Sequence, residues 1–301
     1  MSGWCPAVSF AAMLMGGFVY AAVAQDETVA REPQARVFFA ERMDGKYAAV
    51  RDEIEARGIL EAVAGVLNAF RLPRQLTVEV KGCEGRETAW YAFGRANFCY
   101  EYVDLIRRHL PAVATPGGVH RDDVIVGVIL DTILHEAAHG LIDILGIPVI
   151  GREEDAADFI SIYFLLQFPR EDARRLINGV AFSVGSEARE DLREALRPEA
   201  FADTHGLNAQ RHYNVLCLAY GADPALFGDV ALAVLPAWRA RNCGDEWSLL
   251  RRGLMQALLP HLDETKLNAA VSQARFKWRP LVTAVDTFDK PPLETLKSIP
   301  R

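Results

Sequence analysis

A long apolar segment in the middle of the chain carries ionisable side chains that a protein core does not accept without partners. Two apolar runs, VIVGVIL at 124–130 and ISIYFLL at 160–166, flank residues 133–159. Burying an imidazole or a carboxylate costs free energy unless the group is paired or binds a metal. The groups in this segment that most need such a reason are His135, Glu136, His139, Glu154 and Asp158.

Residues 135–139 form an HExxH motif. Residues 122–145 are mostly apolar and end at a Gly-x-Pro sequence, which predicts one long helix. Positions i and i+4 of a helix share one face, with β-carbons about 5–6 Å apart, so His135 and His139 can bind one zinc ion. Glu136 is placed to take a proton from a water bound to that metal, since the metal lowers the pKa of the water. We predict two zinc ligands and a general base.

A catalytic zinc ion usually has three protein ligands and one open position, so the motif needs a third ligand. The loop 146–152 reverses the chain, and a second helix is predicted to begin at Glu153. If the two helices pack antiparallel, the first turns of the second helix, EEDAAD, lie near the HExxH turn. Glu154 is the predicted third ligand, with Glu153 and Asp155 as alternatives.

Asp158 lies one helical turn after Glu154. A zinc-bound imidazole normally donates its other ring N–H to a carboxylate or a carbonyl group, which fixes the ring. We predict that Asp158 accepts this N–H from His135 or His139. The preference of acidic residues for helix N-termini accounts for some acids in EEDAAD, but not for a cluster that follows an HExxH motif so closely.

Hydrolysis of an amide creates an oxyanion, which a metal and one further donor should stabilise. The C-terminal half provides the sequence DTHGLNAQRHYN at 203–214. His205 lies in a predicted loop before a helix, and Tyr213 lies on that helix. His205 or Tyr213 is the predicted donor. The alternative for Tyr213, and for Arg211, is an ordinary packing or pairing role.

The remaining patterns predict an α+β fold, with a small strand-containing part to about residue 146 and a helical part at about 147–270. In the first part, strands are predicted at 36–41 and in 72–80, a hairpin near Gly94-Arg95, and helices at 47–70, broken near Gly58, and at 101–110. Further helices are predicted at 153–168, 170–184, 187–197, 208–220, 225–240 and 246–259. The tail is predicted to be irregular, with one strand at 278–285.

The first 24 residues, MSGWCPAVSFAAMLMGGFVYAAVA, contain no charged side chain and end in a small-x-small pattern. This pattern is typical of a secretory signal peptide. We predict a cleaved signal at 1–24 and one exported domain, periplasmic or secreted, at 25–301. An uncleaved membrane anchor is the alternative, for which the apolar run is short. The net charge of −7 argues against nucleic acid as a partner.

Four cysteines remain after removal of residues 1–24, and an even number in an exported protein predicts disulfides. Four cysteines allow three pairings. We favour Cys83–Cys99 and Cys217–Cys243, because each closes a local loop. Four buried free thiols are the alternative.

HExxH followed by a Glu-x-x-Ala-Asp helix resembles the gluzincin class of zinc metallopeptidases. More closely, the chain resembles a bacterial family of metallopeptidase-like proteins defined by a domain of unknown function. The resemblance implies a zincin-like fold in which the edge strand before the active helix, here within 89–100, pairs with a peptide substrate; an ordinary hairpin is the alternative. The segments that carry the resemblance, between about residues 37 and 243, are LNAFRLPRQLTVEVKGC, NFCYEYVDLI, HEAAHGLIDILGIPVIGREEDAADF and QRHYNVLCLAYGADP.

The sequence therefore predicts an exported Zn²⁺-dependent metallopeptidase that acts on a peptide or a protein, without stable membrane insertion after signal cleavage. One alternative is a non-catalytic interaction protein of the cell envelope, in which zinc staples two helices. Glu136 argues against a staple, which needs no base. A second alternative is a helical exported domain without metal, in which HExxH is accidental.

Overall fold

A computed structural model of the protein describes residues 35–40, 45–111, 118–194 and 196–278. These residues belong to one compact unit within 33–301. The signal peptide predicted at 1–24 lies outside the described residues, as does nearly all of the strand predicted at 278–285.

Apolar alternation in the N-terminal part produces one four-stranded sheet with the order β1-β2-β4-β3. The strands are β1 (Ala35–Phe39), β2 (Leu76–Lys81), β3 (Ala89–Ala92) and β4 (Arg95–Cys99). β1, β2 and β4 run parallel, whereas β3 is antiparallel to β4 and forms an edge of the sheet. The strands predicted at 36–41 and in 72–80 and the predicted hairpin are confirmed.

The β3–β4 hairpin turns at Phe93 and Gly94, one residue from the predicted position. Both residues have positive φ, +50° and +78°. A two-residue hairpin turn of this kind matches the right-handed twist of the strands, and glycine adopts it without strain. Phe93 is fully exposed at the tip.

The helix predicted at 47–70 is two helices, α1 (Lys46–Ala56) and α2 (Ile59–Leu67), separated at Gly58 as predicted. Gly58 has a φ of +72°, and a β-carbon there would lie 2.8 Å from the carbonyl oxygen of Arg275. A left-handed conformation in such a close contact requires glycine. The short helix α3 (Tyr102–Arg108) follows the sheet.

The central helix α4 (Arg121–Leu145) packs on the sheet and on α2, α5 and α6. Among the described residues it is the one helix long and apolar enough to cross a membrane by length and composition, yet 78% of its most apolar window is buried inside the protein. It therefore has the burial of a core helix. Helices α5 (Glu153–Leu165) and α6 (Arg170–Glu194) continue the bundle.

The helices predicted at 170–184 and 187–197 are one helix, so the predicted break is wrong. Gly185 packs against the ring of His212, and Ser186 donates its hydroxyl to the carbonyl oxygen of Phe182 one turn earlier. These contacts hold Gly185 and Ser186 within a continuous helix, and α6 continues to Glu194.

The described C-terminal part, up to residue 278, is mostly helical, as predicted, and contains one helix that was not predicted, Glu264–Gln273. The predicted 225–240 helix is divided at Pro236, whose ring cannot continue a helix interior. This unpredicted helix packs on α2, with Gly65 against Ala270. The helices are α7 (Asn208–Ala222), α8 (Pro224–Leu232), α9 (Ala237–Ala240), α10 (Cys243–Leu258) and α11 (Glu264–Gln273).

Both favoured cysteine pairs are disulfides in the structure. Cys83–Cys99 joins the loop after β2 to the end of β4, and Cys217–Cys243 joins α7 to α10. The buried carboxylate of Glu101 accepts hydrogen bonds from the backbone N–H of Cys83 at 2.9 Å, and so helps to hold the loop that leads into β3.

Candidate active site

The HExxH turn lies in the second half of α4, between the β3 edge and the start of α5. His135 and His139 are both buried, and their Nε2 atoms are 3.3 Å apart. The i, i+4 spacing on a regular helix produces this approach. The two imidazoles therefore present their Nε2 atoms to one point.

Glu154, in the first turn of α5, lies opposite the two imidazoles. Its Oε2 atom is 3.1 Å from His135 Nε2 and 3.2 Å from His139 Nε2. Ligands that bind zinc tetrahedrally at about 2.0–2.1 Å are about 3.3 Å from one another. The mutual distances of these three donors fit one Zn²⁺ ion.

His205 also reaches this cluster, from the loop between α6 and α7. Its Nε2 atom is 2.9 Å from Glu154 Oε2, and the ligand atoms of His135, Glu154 and His205 all lie within 4.8 Å of one another. Asp203 accepts a hydrogen bond from the backbone N–H of His205 at 2.8 Å, and Arg152 donates to its carbonyl oxygen at 3.2 Å. The loop thus holds a third imidazole beside the predicted metal ligands.

Two carboxylates lie at the far sides of the paired imidazoles. Asp158 Oδ1 is 2.9 Å from His135 Nδ1. Of the two histidines predicted as its partner, Asp158 therefore contacts His135. Glu153 Oε1 is 2.7 Å from His139 Nδ1. Glu153, an alternative third ligand, therefore lies on the opposite side of the ring from the cluster of Nε2 atoms. Each carboxylate can fix the tautomer and orientation of one ring.

Asp155, the other alternative ligand, points away from the imidazoles. It pairs with Arg152 at 2.9 Å. Arg152 in turn binds the backbone of the His205 loop. Among the three acids considered, the structure brings only Glu154 to the Nε2 atoms of both histidines.

Arg211 of α7 belongs to the site, although the sequence analysis gave it only a packing or pairing role. Its guanidinium group donates two hydrogen bonds to Asp158, each of 2.8 Å. A bidentate pair of this kind is strong and directional. No motif marks such an arginine in the sequence, because its partner is 53 residues away.

Tyr213 is not brought to the cluster, and this is a correction. Successive residues of a helix are rotated by about 100°, so Tyr213 points about 200° away from Arg211 on α7. Its side chain is 39% exposed, and its ring contacts His212. Of the two predicted oxyanion donors, only His205 lies at the site.

The site attracts positive charge. A hydrogen bond from His135 lowers the pKa of Glu154 to about 2. Burial would raise the pKa of Asp158, but hydrogen bonds from His135 and Arg211 outweigh it and hold that pKa well below its ordinary value. Burial would lower the pKa of His135, but Asp158 and Glu154 raise it to about 10. A dication can take the place of that proton among the same carboxylates.

Glu136 lines an open cleft of about 520 Å³ beside the cluster. Burial raises the pKa of its carboxyl group, and the imidazoles of His135 and His139 partly offset this. A raised pKa suits a carboxylate that must accept a proton near neutral pH. The cleft is lined by Ala89, Trp90, Tyr91, Glu136, His139, Arg152, Glu153, Glu154, Thr204 and His205.

Asp131 is half-buried, one turn before His135 on α4, and provides a test of a poorly solvated charge near the site. Its Oδ1 atom accepts a hydrogen bond from Ser161 at 2.6 Å, and burial raises its pKa to about 6. The folded protein therefore holds this proton more tightly than the unfolded chain, and ionisation costs stability as the pH rises from about 4 to above 6. Asp131→Asn is expected to be more stable than wild type by about 1–3 kcal/mol at pH 7 and equal to it at pH 4.

Urea unfolding at the two pH values, in chelator so that metal occupancy is constant, measures this difference. Asp52→Asn, at an exposed position of α1, is the matched control and should not change stability with pH in this way. If Asp131→Asn is no more stable than wild type at pH 7, ionisation of Asp131 does not destabilise the folded protein, and the prediction is wrong.

A comparison with known protein families identifies one that this chain matches. The family model DUF4344, described as “Putative metallopeptidase”, matches residues 39–258. The chain belongs to this family. The predicted resemblance to a metallopeptidase-like family defined by a domain of unknown function is thereby confirmed, and the matched range contains the HExxH helix, Glu154 and His205. The family description implies a metal cofactor and peptide or protein substrates. No curated protein and no solved structure matches the chain.

Proposed function

We propose that this protein is an exported zinc-dependent metallopeptidase with the metal bound by His135, His139 and Glu154. The observation that carries the proposal is the convergence of three donor atoms, 3.1–3.3 Å apart, at the wall of a cleft that Glu136 also lines. Nitrogen and carboxylate donors in this number suit Zn²⁺ and leave one position for a reacting group.

In the proposed mechanism, Glu136 accepts a proton from the attacking water and passes it to the nitrogen of the leaving amine. A bound Zn²⁺ would polarise the scissile carbonyl group and lower the pKa of water in the cleft. His205 donates from Nε2 to the oxygen that becomes negatively charged, while Asp203 and Arg152 hold its loop.

Three further residues orient these groups. Asp158 and Glu153 hold the rings of His135 and His139 through their Nδ1 atoms. Arg211 holds Asp158 with two hydrogen bonds and keeps it ionised. The substrate peptide would lie along the cleft, with its backbone paired to the free edge of β3.

One observation favours a second function, that of a zinc-stapled interaction protein of the cell envelope. His205 Nε2 lies 2.9 Å from Glu154 Oε2, so it can act as a fourth ligand. Four protein ligands would close the site, and closed sites are typical of structural zinc. In that case the protein would bind zinc tightly and cleave no peptide.

Metal removal tests the proposal. Protein purified from an oxidising compartment is expected to contain about one zinc ion per chain, as a three-ligand site predicts. Chelation should lower the cleavage of a quenched-fluorescent peptide library by at least about 100-fold, because the metal supplies several kcal/mol to the transition state, and added Zn²⁺ should restore it.

The possible outcomes separate the alternatives. Zinc without any cleavage favours the interaction protein. No zinc, even after reconstitution, favours a packed helix pair without metal. Cleavage that chelation does not affect contradicts the metal-dependent mechanism.

We also propose export, with a signal peptide at residues 1–24 and a single mature domain from residue 25. The apolar, uncharged composition of that segment supports the proposal. The two disulfides support it as well, because such bonds persist in oxidising compartments. The N-terminal sequence of the purified protein would identify the cleavage site or show the segment to be retained.

A further inference from the structure

The hydrogen bonding of the β3–β4 pair determines which backbone groups of β3 face the cleft. Cys99 donates its N–H to the carbonyl oxygen of Thr88 at 3.2 Å, so these opposed residues form a hydrogen-bonded pair. Such pairs alternate along an antiparallel ladder. Trp90, opposite Asn97, is therefore also bonded to β4, whereas Tyr91, opposite Ala96, is not. The N–H and C=O of Tyr91 point away from β4, toward the free edge.

The side chain of the same residue is tied to the HExxH helix. Tyr91 donates its hydroxyl to Asp143 Oδ2 at 2.5 Å, and the hydroxyl oxygen accepts a hydrogen bond from Gly94 N–H at 3.0 Å. Asp143 lies on α4, one turn after His139. Arg74 binds the other oxygen of Asp143 at 3.0 Å, which fixes the carboxylate from the opposite side.

Gly140, between the motif and Asp143, allows this approach. A β-carbon at residue 140 would lie 2.5 Å from Leu76 Cδ1 and 3.1 Å from Tyr91 Cε2. The backbone of α4 therefore packs directly against the ring of Tyr91 and the side chain of Leu76. The hydroxyl bond and the glycine contact together fix the distance between the β3 edge and the HExxH turn.

We propose that Tyr91 is a positioning residue for peptide binding: its hydroxyl bond to Asp143 holds the backbone groups of the β3 edge in register with the metal cluster. The proposal rests on the peptidase function proposed above. A strand that is already ordered loses no further conformational freedom of its own when it binds a peptide. The bond should therefore affect substrate affinity rather than the chemical step.

The test is a double-mutant cycle on Tyr91 and Asp143. Tyr91→Phe and Asp143→Ala are each expected to raise KM by about 3- to 10-fold, the effect of one hydrogen bond, with kcat within about twofold of wild type. The effect of the double variant on KM should be smaller than the product of the two single effects, because both substitutions remove the same bond. Asp143→Asn retains an acceptor oxygen and should largely restore KM.

Hydrogen exchange provides a readout without substrate. Tyr91→Phe should accelerate amide exchange in 88–93, since the strand loses its attachment to α4. Tyr163→Phe is the matched control: it removes a hydroxyl group in α5 whose contact is the sulfur of Met255, and should change neither exchange nor KM.

Each outcome decides the proposal. Faster exchange together with a raised KM and an unchanged kcat supports it. Unchanged exchange in Tyr91→Phe, an unchanged KM, or a fall in kcat with KM constant overturns it while leaving the peptidase function intact. If wild type shows no cleavage that depends on Glu136, the peptidase function fails and the positioning role fails with it.

Discussion

Glu136→Gln is expected to lower kcat for peptide cleavage by up to about 10⁴-fold, the contribution of a well-placed general base. The amide retains the size of the carboxylate but cannot accept a proton. Glu136 contributes no atom to the Nε2–Oε2 cluster, so zinc content and thermal stability should remain close to those of wild type. Steady-state kinetics and metal analysis on the same preparation measure both.

Glu61→Gln, at an exposed position of α2, is a suitable control for the loss of one negative charge. It should cleave peptides as wild type does. If Glu136→Gln retains wild-type activity, Glu136 is not the base. If it loses zinc as well as activity, the residue acts in metal binding instead.

Glu154→Gln is expected to weaken zinc binding by about 10²–10³-fold. The binding free energy of structural zinc sites with four ligands is about 10–16 kcal/mol, or roughly 2.5–4 kcal/mol per ligand. Glu153→Gln should cost less, about 10–100-fold, because Glu153 lies behind the ring of His139 and not at the metal position. Competition with a chelator of known affinity gives these ratios without reference to activity.

Asp155→Asn is the matched control for these two variants, since Asp155 lies in the same helical turn and pairs with Arg152. Its zinc affinity should remain within about twofold of wild type, as for a surface ion pair. If Glu153→Gln or Asp155→Asn weakens binding more than Glu154→Gln, the third ligand is that residue and not Glu154.

The fold was predictable where local signals and tertiary packing agree. The HExxH helix has an apolar pattern and is followed by Gly146. The observed helix, Arg121–Leu145, therefore differs from the predicted range 122–145 by one residue. The helix α11 was missed, although Asp263 is an N-cap whose side chain accepts from Lys266 N–H. That helix is stabilised by its packing on α2, about 200 residues earlier, which no local pattern reveals.

The sequence predicts the site residues that lie on the HExxH helix and the helix after it. It does not predict which residue of the distant 203–214 segment reaches them. His135, Glu136, His139, Glu154 and Asp158 share two neighbouring helices, so helical geometry alone places them together. The choice between His205 and Tyr213 depended on the rotation of α7 about its own axis. That rotation is fixed by contacts such as Arg211 with Asp158, between elements far apart in sequence.

The first turns of α5 serve three parts of the cleft at once. Arg152 reaches the His205 loop, Glu153 and Glu154 reach opposite sides of the imidazoles, and Asp158 reaches both His135 and Arg211. Insertion of a single residue after Glu154 would rotate Arg152, Glu153 and Glu154 by about 100° relative to Asp158 and the rest of α5. Such an insertion would detach the ligand, one ring support and the loop anchor in one step, whereas an insertion in the preceding loop at 146–150 would leave the relative positions of these side chains unchanged.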